Sequence, residues 1–249
     1  MGRTVIVAQA RMSSSRLPGK TLLELDGAPV VDLVLARVNG ARLADDVVVA
    51  TTTDPSDDVL AEHLESLGVS FVRGSLDDVL ARYVLAADTF QAETVVRVTC
   101  DCPLIDPTEI DRVISAYRAQ PPVDYCSNNL VRSFPIGMDT EVFSLAALKR
   151  ADSEARLQHE REHVTPYLYQ HPELFGLRNV EAPEWARFPE LRLTIDEPAD
   201  FEMLKALIEL VPRDASLEDI LRAIRLHPEV EVLNRNVQHR HIDKPASWK

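Results

Sequence analysis

Val5-Ile6-Val7-Ala8 runs straight into Gln9-Ala10-Arg11-Met12-Ser13-Ser14-Ser15-Arg16-Leu17-Pro18-Gly19-Lys20. The first four residues form a continuous apolar run of strand length, and the next twelve form a polar, basic loop. An apolar strand that opens into such a loop is the first unit of a parallel sheet whose ligands bind beyond the carboxyl ends of its strands. The same alternation continues downstream. From Pro29 to Leu43, Val30, Val31, Leu33, Val34 and Val38 fall at helical spacing, and Asp46 then introduces Val47-Val48-Val49-Ala50, a second buried strand. Asp54-Pro55 pairs an N-cap acid with proline at the first helical position and opens a helix that Gly68 stops. Val69 to Val72 is a short apolar run, Asp77 to Phe90 reads as a helix, Thr94 to Val98 as a strand, and Asp106-Pro107 opens another helix. Short apolar strands alternating with longer helices predict an α/β fold with a mostly parallel sheet, helices on both faces and right-handed connections. Its functional loops should follow Ala8, Val72 and Val98.

Beyond Pro122 the pattern is mixed. Val123 to Cys126 and Met138 to Phe143 read as strands, and Ser144 to Ala155 and Glu160 to Tyr169 as helices. Leu191 to Ile195 reads as a strand, followed by helices over Glu197 to Leu210 and Ser216 to Leu226. The expected organisation is one domain over 1–225, with a subsidiary lobe at 123–180. The tail over 226–249, polar and basic from Asn234 to Lys249, should be peripheral.

Composition narrows the function. The 249 residues are 45% hydrophobic and 27% charged, ordinary for a globular chain. Asp and Glu outnumber Lys and Arg by 40 to 27, giving a formal charge of −13. Such a surface repels nucleic acid and anionic lipid, so neither is an expected partner, and phosphate chemistry needs a local basic cluster or a metal ion. No apolar run reaches the roughly 18 residues of a membrane span, and the amino terminus lacks the features of a secretory signal. A cytoplasmic location is the expectation. Cys100, Cys102 and Cys126 read as reduced, buried thiols.

The loop after Ala8 carries three cations, three serines and one glycine in twelve residues. It can direct backbone N–H groups and side-chain donors at phosphate oxygens: Arg11 and Arg16 by forked contacts, Lys20 as a point charge. The Walker A and dinucleotide glycine spacings are both absent. Asp101, in Thr99-Cys100-Asp101-Cys102-Pro103-Leu104, lies just past a strand and is placed to hold Mg²⁺ against a triphosphate. Asp196, in Leu193-Thr194-Ile195-Asp196-Glu197-Pro198, ends another apolar run and supplies a second carboxylate; its plain alternative is a helix N-cap. Two such carboxylates beside a basic loop suit phosphoryl or nucleotidyl transfer.

With these residues the chain resembles the cytidylyltransferases of the spore coat polysaccharide biosynthesis protein F type, relatives of the CMP-KDO and CMP-sialate synthetases. Beside the Gln9–Lys20 loop, the resemblance rests on Val49-Ala50-Thr51-Thr52, on Phe71-Val72-Arg73-Gly74-Ser75 with Asp77-Asp78-Val79-Leu80, and on Asp101-Cys102-Pro103-Leu104-Ile105-Asp106. It continues through Gly137-Met138-Asp139-Thr140-Glu141-Val142-Phe143, Glu160-Arg161-Glu162-His163-Val164-Thr165-Pro166-Tyr167 and Thr194-Ile195-Asp196-Glu197-Pro198. It implies a nucleotide-diphospho-sugar-transferase-like, Rossmann-like fold and a reaction of CTP with a hydroxylated sugar acid or similar acceptor, assisted by Mg²⁺. By position, Arg11, Arg16 and Lys20 would hold the triphosphate, with Ala8, Gln9, Ala10 and Ser13 completing the nucleotide loop. Arg73 and Gly74 would sit near the cytosine, and Asp101 and Asp196 would bind the metal. Asp139 and Glu141 would face the sugar or ribose, and Arg161, Glu162 and His163 the acceptor. Arg11, Lys20, Asp101 and Asp196 would form the catalytic set. Cys100 stands where the relatives carry glycine, and a homodimer is implied because relatives pair.

Other readings remain open on sequence alone. A glycosyltransferase or a non-catalytic nucleotide-binding protein could use the same fold. His159-Glu160-Arg161-Glu162-His163 matches the H-E-x-x-H zinc-hydrolase helix, with Glu181 or Glu184 as a third ligand. His239-Arg240-His241 could bind metal.

Overall fold

The computed structural model describes residues 2–238. The chain opens with β1 (Thr4–Gln9), a single 3-10 turn at Lys20–Leu22 and a small hairpin of β2 (Glu24–Leu25) and β3 (Ala28–Pro29). Helices and strands then alternate: α1 (Val30–Val38), β4 (Asp46–Thr52), α2 (Asp58–Ser66), β5 (Phe71–Gly74), α3 (Val79–Thr89), β6 (Thr94–Thr99) and α4 (Pro107–Arg118). The second half holds β7 (Tyr125–Ser127), β8 (Glu141–Ser144), α5 (Leu145–Glu154), α6 (Gln158–His163), α7 (Pro166–Gln170) and β9 (Leu177–Asn179). It closes with α8 (Pro198–Ile208), α9 (Leu217–Leu226) and α10 (Pro228–Val232).

Seven strands form one sheet in the order β5-β4-β1-β6-β8-β7-β9. β5, β4, β1 and β6 are parallel, β8 runs antiparallel to both of its neighbours, and β9 is parallel to β7. Side chains alternate across a strand, and β1 shows the consequence. Ile6 and Ala8 enter one apolar core with α1, α4, α8 and α9, while Val5 and Val7 enter a second core with α3 and α5. The sheet therefore carries helices on both faces, as the uninterrupted apolar strands implied.

Local chemistry sets the helix starts. Asp54, Asp78 and Asp106 each accept a backbone N–H in the first turn after them, from Ser56, Ala81 and Thr108. Several boundaries differ from the sequence reading. α1 stops at Val38 because Asn39-Gly40 turns the chain, well short of Leu43. The strand read at Val69–Val72 lies at Phe71–Gly74, where it pairs with Val49–Thr52. The strands read at Val123–Cys126 and Met138–Phe143 shift to Tyr125–Ser127 and Glu141–Ser144. The helix read over Glu160–Tyr169 is two helices, because Val164 adopts φ 72° and Pro166 opens a new first turn. Leu191–Ile195 is not a strand: its sheet-like contact is one bridge, Ile136 to Arg192. Residues 123–180 supply β7, β8 and β9 to the main sheet. At the carboxyl end of the described residues, α10 packs against α8 and α9, and Asn234 is buried.

Candidate active site

A cavity of about 910 Å³ opens at the carboxyl ends of β1 and β6. One wall is the loop after β1. Its shape is held by Asp57, fully buried at the end of the turn after β4, whose carboxylate accepts the Met12 N–H at 2.6 Å. Asp57 also accepts from the Thr51 hydroxyl, the Thr52 N–H and the Thr52 hydroxyl. The loop folds back on itself: Ser14 N–H and Gly19 N–H both donate to the Met12 carbonyl, at 3.0 and 2.9 Å, and Thr21 Oγ1 donates to the Arg11 carbonyl at 2.8 Å. Gly19 takes φ 75°, a conformation that glycine adopts without steric cost, and so turns the chain into Lys20. Gln9, Ala10, Arg11, Ser14, Ser15, Arg16 and Lys20 all line the cavity.

The two carboxylates singled out from sequence meet at Lys20. Its Nζ lies 2.7 Å from Asp101 Oδ2, 3.2 Å from Asp196 Oδ1 and 2.6 Å from the Ile195 carbonyl. The two segments are also joined directly, since Ile195 N–H donates to the Asp101 carbonyl at 2.8 Å. Asp196 is not the cap of α8; Glu197 is, which leaves the Asp196 side chain for the cavity. Arg16 Nη2 adds a contact at 2.9 Å to Asp196 Oδ1. On the far side Arg192 reaches Asp196 Oδ2 at 3.2 Å and forks onto Asp200, itself fully buried. Asp200 further accepts the N–H groups of Asp196 and Glu197 and the Asn234 side-chain amide. Arg192, Asp200 and Asn234 thus fix the direction of the Asp196 carboxylate from behind.

Burial would raise the Asp101 carboxyl, but the Lys20 charge and hydrogen bonds from Lys20, Thr99 and Cys102 hold it down at about 2. Lys20 is pulled the other way. Burial disfavours its ammonium, and Asp101 and Asp196 more than compensate, raising it above the ordinary lysine range. Both groups are therefore ionised near neutral pH. Burial pushes all three cysteine thiols up, consistent with inert packing roles.

Two carboxylate oxygens and a backbone carbonyl converging on one cation make a hard-oxygen donor set, and Lys20 Nζ marks its centre. Mg²⁺ takes a small number of protein carboxylates and completes its shell with water and phosphate oxygens. The residues present fit such an ion. Among the described residues no group of three or more His, Cys, Asp and Glu side chains could hold a metal by itself.

The cavity is also lined by Asn129, Leu130, Val131, Arg132, Gly137, Asp139, Glu141, Glu162, His163, Thr165 and Tyr169. Arg132 and Asp139 form a two-pronged ion pair at 2.7 and 2.6 Å. Glu141 is buried beneath the cavity floor, where Arg97 pairs with it and Tyr125 and Thr165 donate hydroxyl hydrogen bonds at 2.6 and 2.7 Å. Its oxygens are occupied by the protein, so Glu141 reads here as a support for the floor. Burial lowers the basicity of His163. Sequence reasoning missed Arg97, Arg132, Thr99 and Arg192. Thr99 and Arg192 stand only two and four residues from Asp101 and Asp196, the carboxylates they contact.

Several sequence candidates lie elsewhere. Arg73 is tied to the Thr52 and Asp54 carbonyls and to Asp58, and neither it nor Gly74 lines the cavity. Arg161 clamps Asp78 to Asp152 and so joins the start of α3 to α5. Ala8 is buried inside β1, and Ser13 is exposed outside the cavity. In the H-E-x-x-H segment, Glu160 is buried and its carboxylate caps its own helix by accepting the Arg156 and Leu157 N–H groups. His159 contacts Gln170, and Glu181 and Glu184 pair with Arg187. A hydrolytic base is not available there. His239-Arg240-His241 lies outside the described residues.

A family model described as cytidylyltransferase matches residues 4–234. The spore coat polysaccharide biosynthesis protein SpsF of Bacillus subtilis is 33% identical to this chain, covering 92% of it and 97% of SpsF. The 3-deoxy-manno-octulosonate cytidylyltransferase of Geobacter sulfurreducens is 31% identical, covering 83% and 87%. The solved structure of a cytidylyltransferase from Leptospira borgpetersenii superposes with a TM-score of 0.87 at 34% identity, covering 97% of this chain and all of that one. The chain belongs to the cytidylyltransferase family, with the nucleotide-diphospho-sugar-transferase-like fold.

Proposed function

We propose that this member of the cytidylyltransferase family transfers CMP from CTP to a hydroxyl of a sugar acid or closely similar small acceptor, with release of pyrophosphate. The convergence of Lys20, Asp101 and Asp196 at the mouth of the cavity carries the reading. It joins phosphate-binding cations to a hard-oxygen metal site within one hydrogen-bond radius. The named activity of the Geobacter relative supports a sugar-acid acceptor, and the name of SpsF supports a place in polysaccharide biosynthesis.

In this reading the backbone of the Gln9–Lys20 loop, fixed by Asp57, cradles the triphosphate. Arg11 has no acidic partner at ion-pair distance among the described residues, so its charge is available to phosphate, and Arg16 and Lys20 join it. Asp101 and Asp196 would hold Mg²⁺, which when bound screens the α-phosphate and lowers the cost of charge on the departing pyrophosphate. Ile195 N–H and Thr194 Oγ1 grip the Asp101 carbonyl and keep the two carboxylates in register. The acceptor would enter past Asn129, Arg132 and Asp139 and present its hydroxyl in line with the leaving pyrophosphate. Glu162 and His163 lie within its reach on the cavity wall. Arg73 and Arg161 are held in structural contacts and take no part. The homodimer implied by the resemblance belongs to the same reading, and light scattering at twice the chain mass would support it.

Purified enzyme with Mg²⁺ should release pyrophosphate when given CTP and one of a panel of sugar acids, and markedly less with ATP, GTP or UTP. CTP binding without release for any acceptor would overturn the acceptor class, and absence of CTP binding would overturn the reading as a whole. A glycosyltransferase would instead consume a nucleotide sugar and leave CTP intact.

A further inference from the structure

The position between Asp101 and Asp196 is taken by a cation that the chain itself supplies. Lys20 Nζ contacts Asp101 Oδ2, Asp196 Oδ1 and the Ile195 carbonyl at 2.7, 3.2 and 2.6 Å. Asp196 Oδ1 is claimed a second time by Arg16 at 2.9 Å, while Thr99 Oγ1 holds Asp101 Oδ1 at 2.6 Å. The carboxylate oxygens that face one another are thus both engaged by basic side chains of the nucleotide loop. A divalent ion bound by the same oxygens sits about 2.1 Å from them. It would fall within contact distance of the ammonium, and two like charges do not share such a space. Lys20 and Mg²⁺ therefore exclude each other at this position.

We propose that Lys20, assisted by Arg16, occupies the divalent-cation position in the nucleotide-free enzyme, and that the triphosphate draws both side chains off the carboxylates so that metal and nucleotide bind as one unit. The inference rests on the metal-dependent reading of the site and goes beyond it by assigning a binding order. The loop geometry allows the exchange. Lys20 comes directly after Gly19 at φ 75° and opens a single 3-10 turn, so its long side chain can swing without moving a helix. An incoming triphosphate offers Lys20 and Arg16 several anionic oxygens in place of the two carboxylates they leave. Asp196 stays oriented throughout, because Arg192 holds Oδ2 from the opposite side. The raised basicity of Lys20 agrees with an ammonium that remains charged in both positions. The exchange also prevents the empty site from capturing a stray divalent ion in a geometry that excludes the substrate.

The probe is Mn²⁺ alone, tracked by the loss of its free electron paramagnetic resonance signal, with the full-length chain and no nucleotide. Wild type and Lys20→Arg should bind Mn²⁺ weakly, because each keeps a cation between the carboxylates. Lys20→Met and Lys20→Gln should bind it at least tenfold more tightly, and Asp101→Asn added to either should abolish the gain. With α,β-methylene-CTP the wild type should gain Mn²⁺ affinity, and Lys20→Met should gain less. Equal Mn²⁺ affinity in nucleotide-free wild type and Lys20→Met, at a site that needs Asp101, would overturn the exchange and leave the metal assignment standing. No Asp101-dependent Mn²⁺ site in any variant, with or without the analogue, would overturn the metal assignment and the exchange together. Thermal unfolding of each variant identifies a folded sample, and Lys20→Gln serves where Lys20→Met does not fold.

Discussion

Asp101 shows how much a single side chain can reveal before a structure exists. Its position just past an apolar strand marked it as a ligand, and the structure adds what holds it there: Lys20, Thr99, Cys102 and the grip of residues 194 and 195 on its carbonyl. Lys20 and residues 194 and 195 come from segments 81 and about 93 residues away, and no spacing rule reaches across that distance. Asp57 makes the same point more sharply. It sits in an ordinary helix-start sequence, Asp54-Pro55-Ser56-Asp57, yet its buried carboxylate pins the nucleotide loop at Met12. Asp101 also gives the fold a measurable pH dependence. Its folded value, about 2, lies below the ordinary aspartate value of 3.8. A depressed carboxylate contributes stability that is fully present above the unfolded value and is lost as pH falls through the folded one. Denaturant unfolding of wild type and Asp101→Asn should therefore differ most above about pH 4, and the difference should vanish as pH approaches about 2. A gap that stays constant over that window would contradict the ion-paired state of Asp101.

At the scale of elements, the first half of the main sheet was legible because β1, β4, β5 and β6 each carry a short apolar run and α2, α3 and α4 each follow an aspartate; the two-residue strands β2 and β3 carry no such run. The second half was less so. Leu191-Arg192-Leu193-Thr194-Ile195 has the alternation of a strand, but its neighbours are a loop and the Asp101 segment, and it makes one bridge in place of a ladder. β9 was missed because Leu177-Arg178-Asn179 has no apolar run; it is placed by pairing with β7, which only tertiary structure provides. The meeting of the 136–138 and 191–195 segments depends on one glycine. Gly137 has φ 105°, and a Cβ there would lie 2.5 Å from the Leu193 carbonyl oxygen. Gly137→Ala should cost about 1–3 kcal/mol through backbone strain. It should also lower turnover by more than the stability loss explains, because it displaces the strand-like segment that ends in Asp196. Thermal unfolding and steady-state kinetics read the two effects, and unchanged turnover in a folded Gly137→Ala enzyme would show that the segment tolerates displacement.

For the whole molecule, the formal charge of −13 suggests a surface unsuited to phosphate, and the cavity resolves the tension locally. Its lining brings together Arg11, Arg16, Lys20, Arg97 and Arg132 with Asp101, Asp139, Glu141, Glu162 and Asp196. The balance is near neutral, and Arg16, Lys20, Arg97 and Arg132 are each matched to an acid. No helix among the described residues is long and apolar enough to cross a membrane. Residues 123–180 were expected to form a subsidiary lobe of one domain. They contribute to the main sheet: β8 pairs directly with β6, and its Val142 and Phe143 join the two cores on either face. This continuity joins the Gln9–Lys20 loop and the Asn129–Glu141 side of the cavity through one sheet. The sequence showed both carboxylates and the basic loop, but not that Lys20 would stand between them.

The measurement that bears most directly on this account is CTP-dependent pyrophosphate release by wild type, Asp101→Ala and Asp196→Ala, each verified as folded. If the two carboxylates form the metal-binding centre of cytidylyl transfer, either substitution should lower turnover by about a hundredfold or more while CTP binding through the loop persists. Near-normal release by either variant would contradict that centre and remove the central claim.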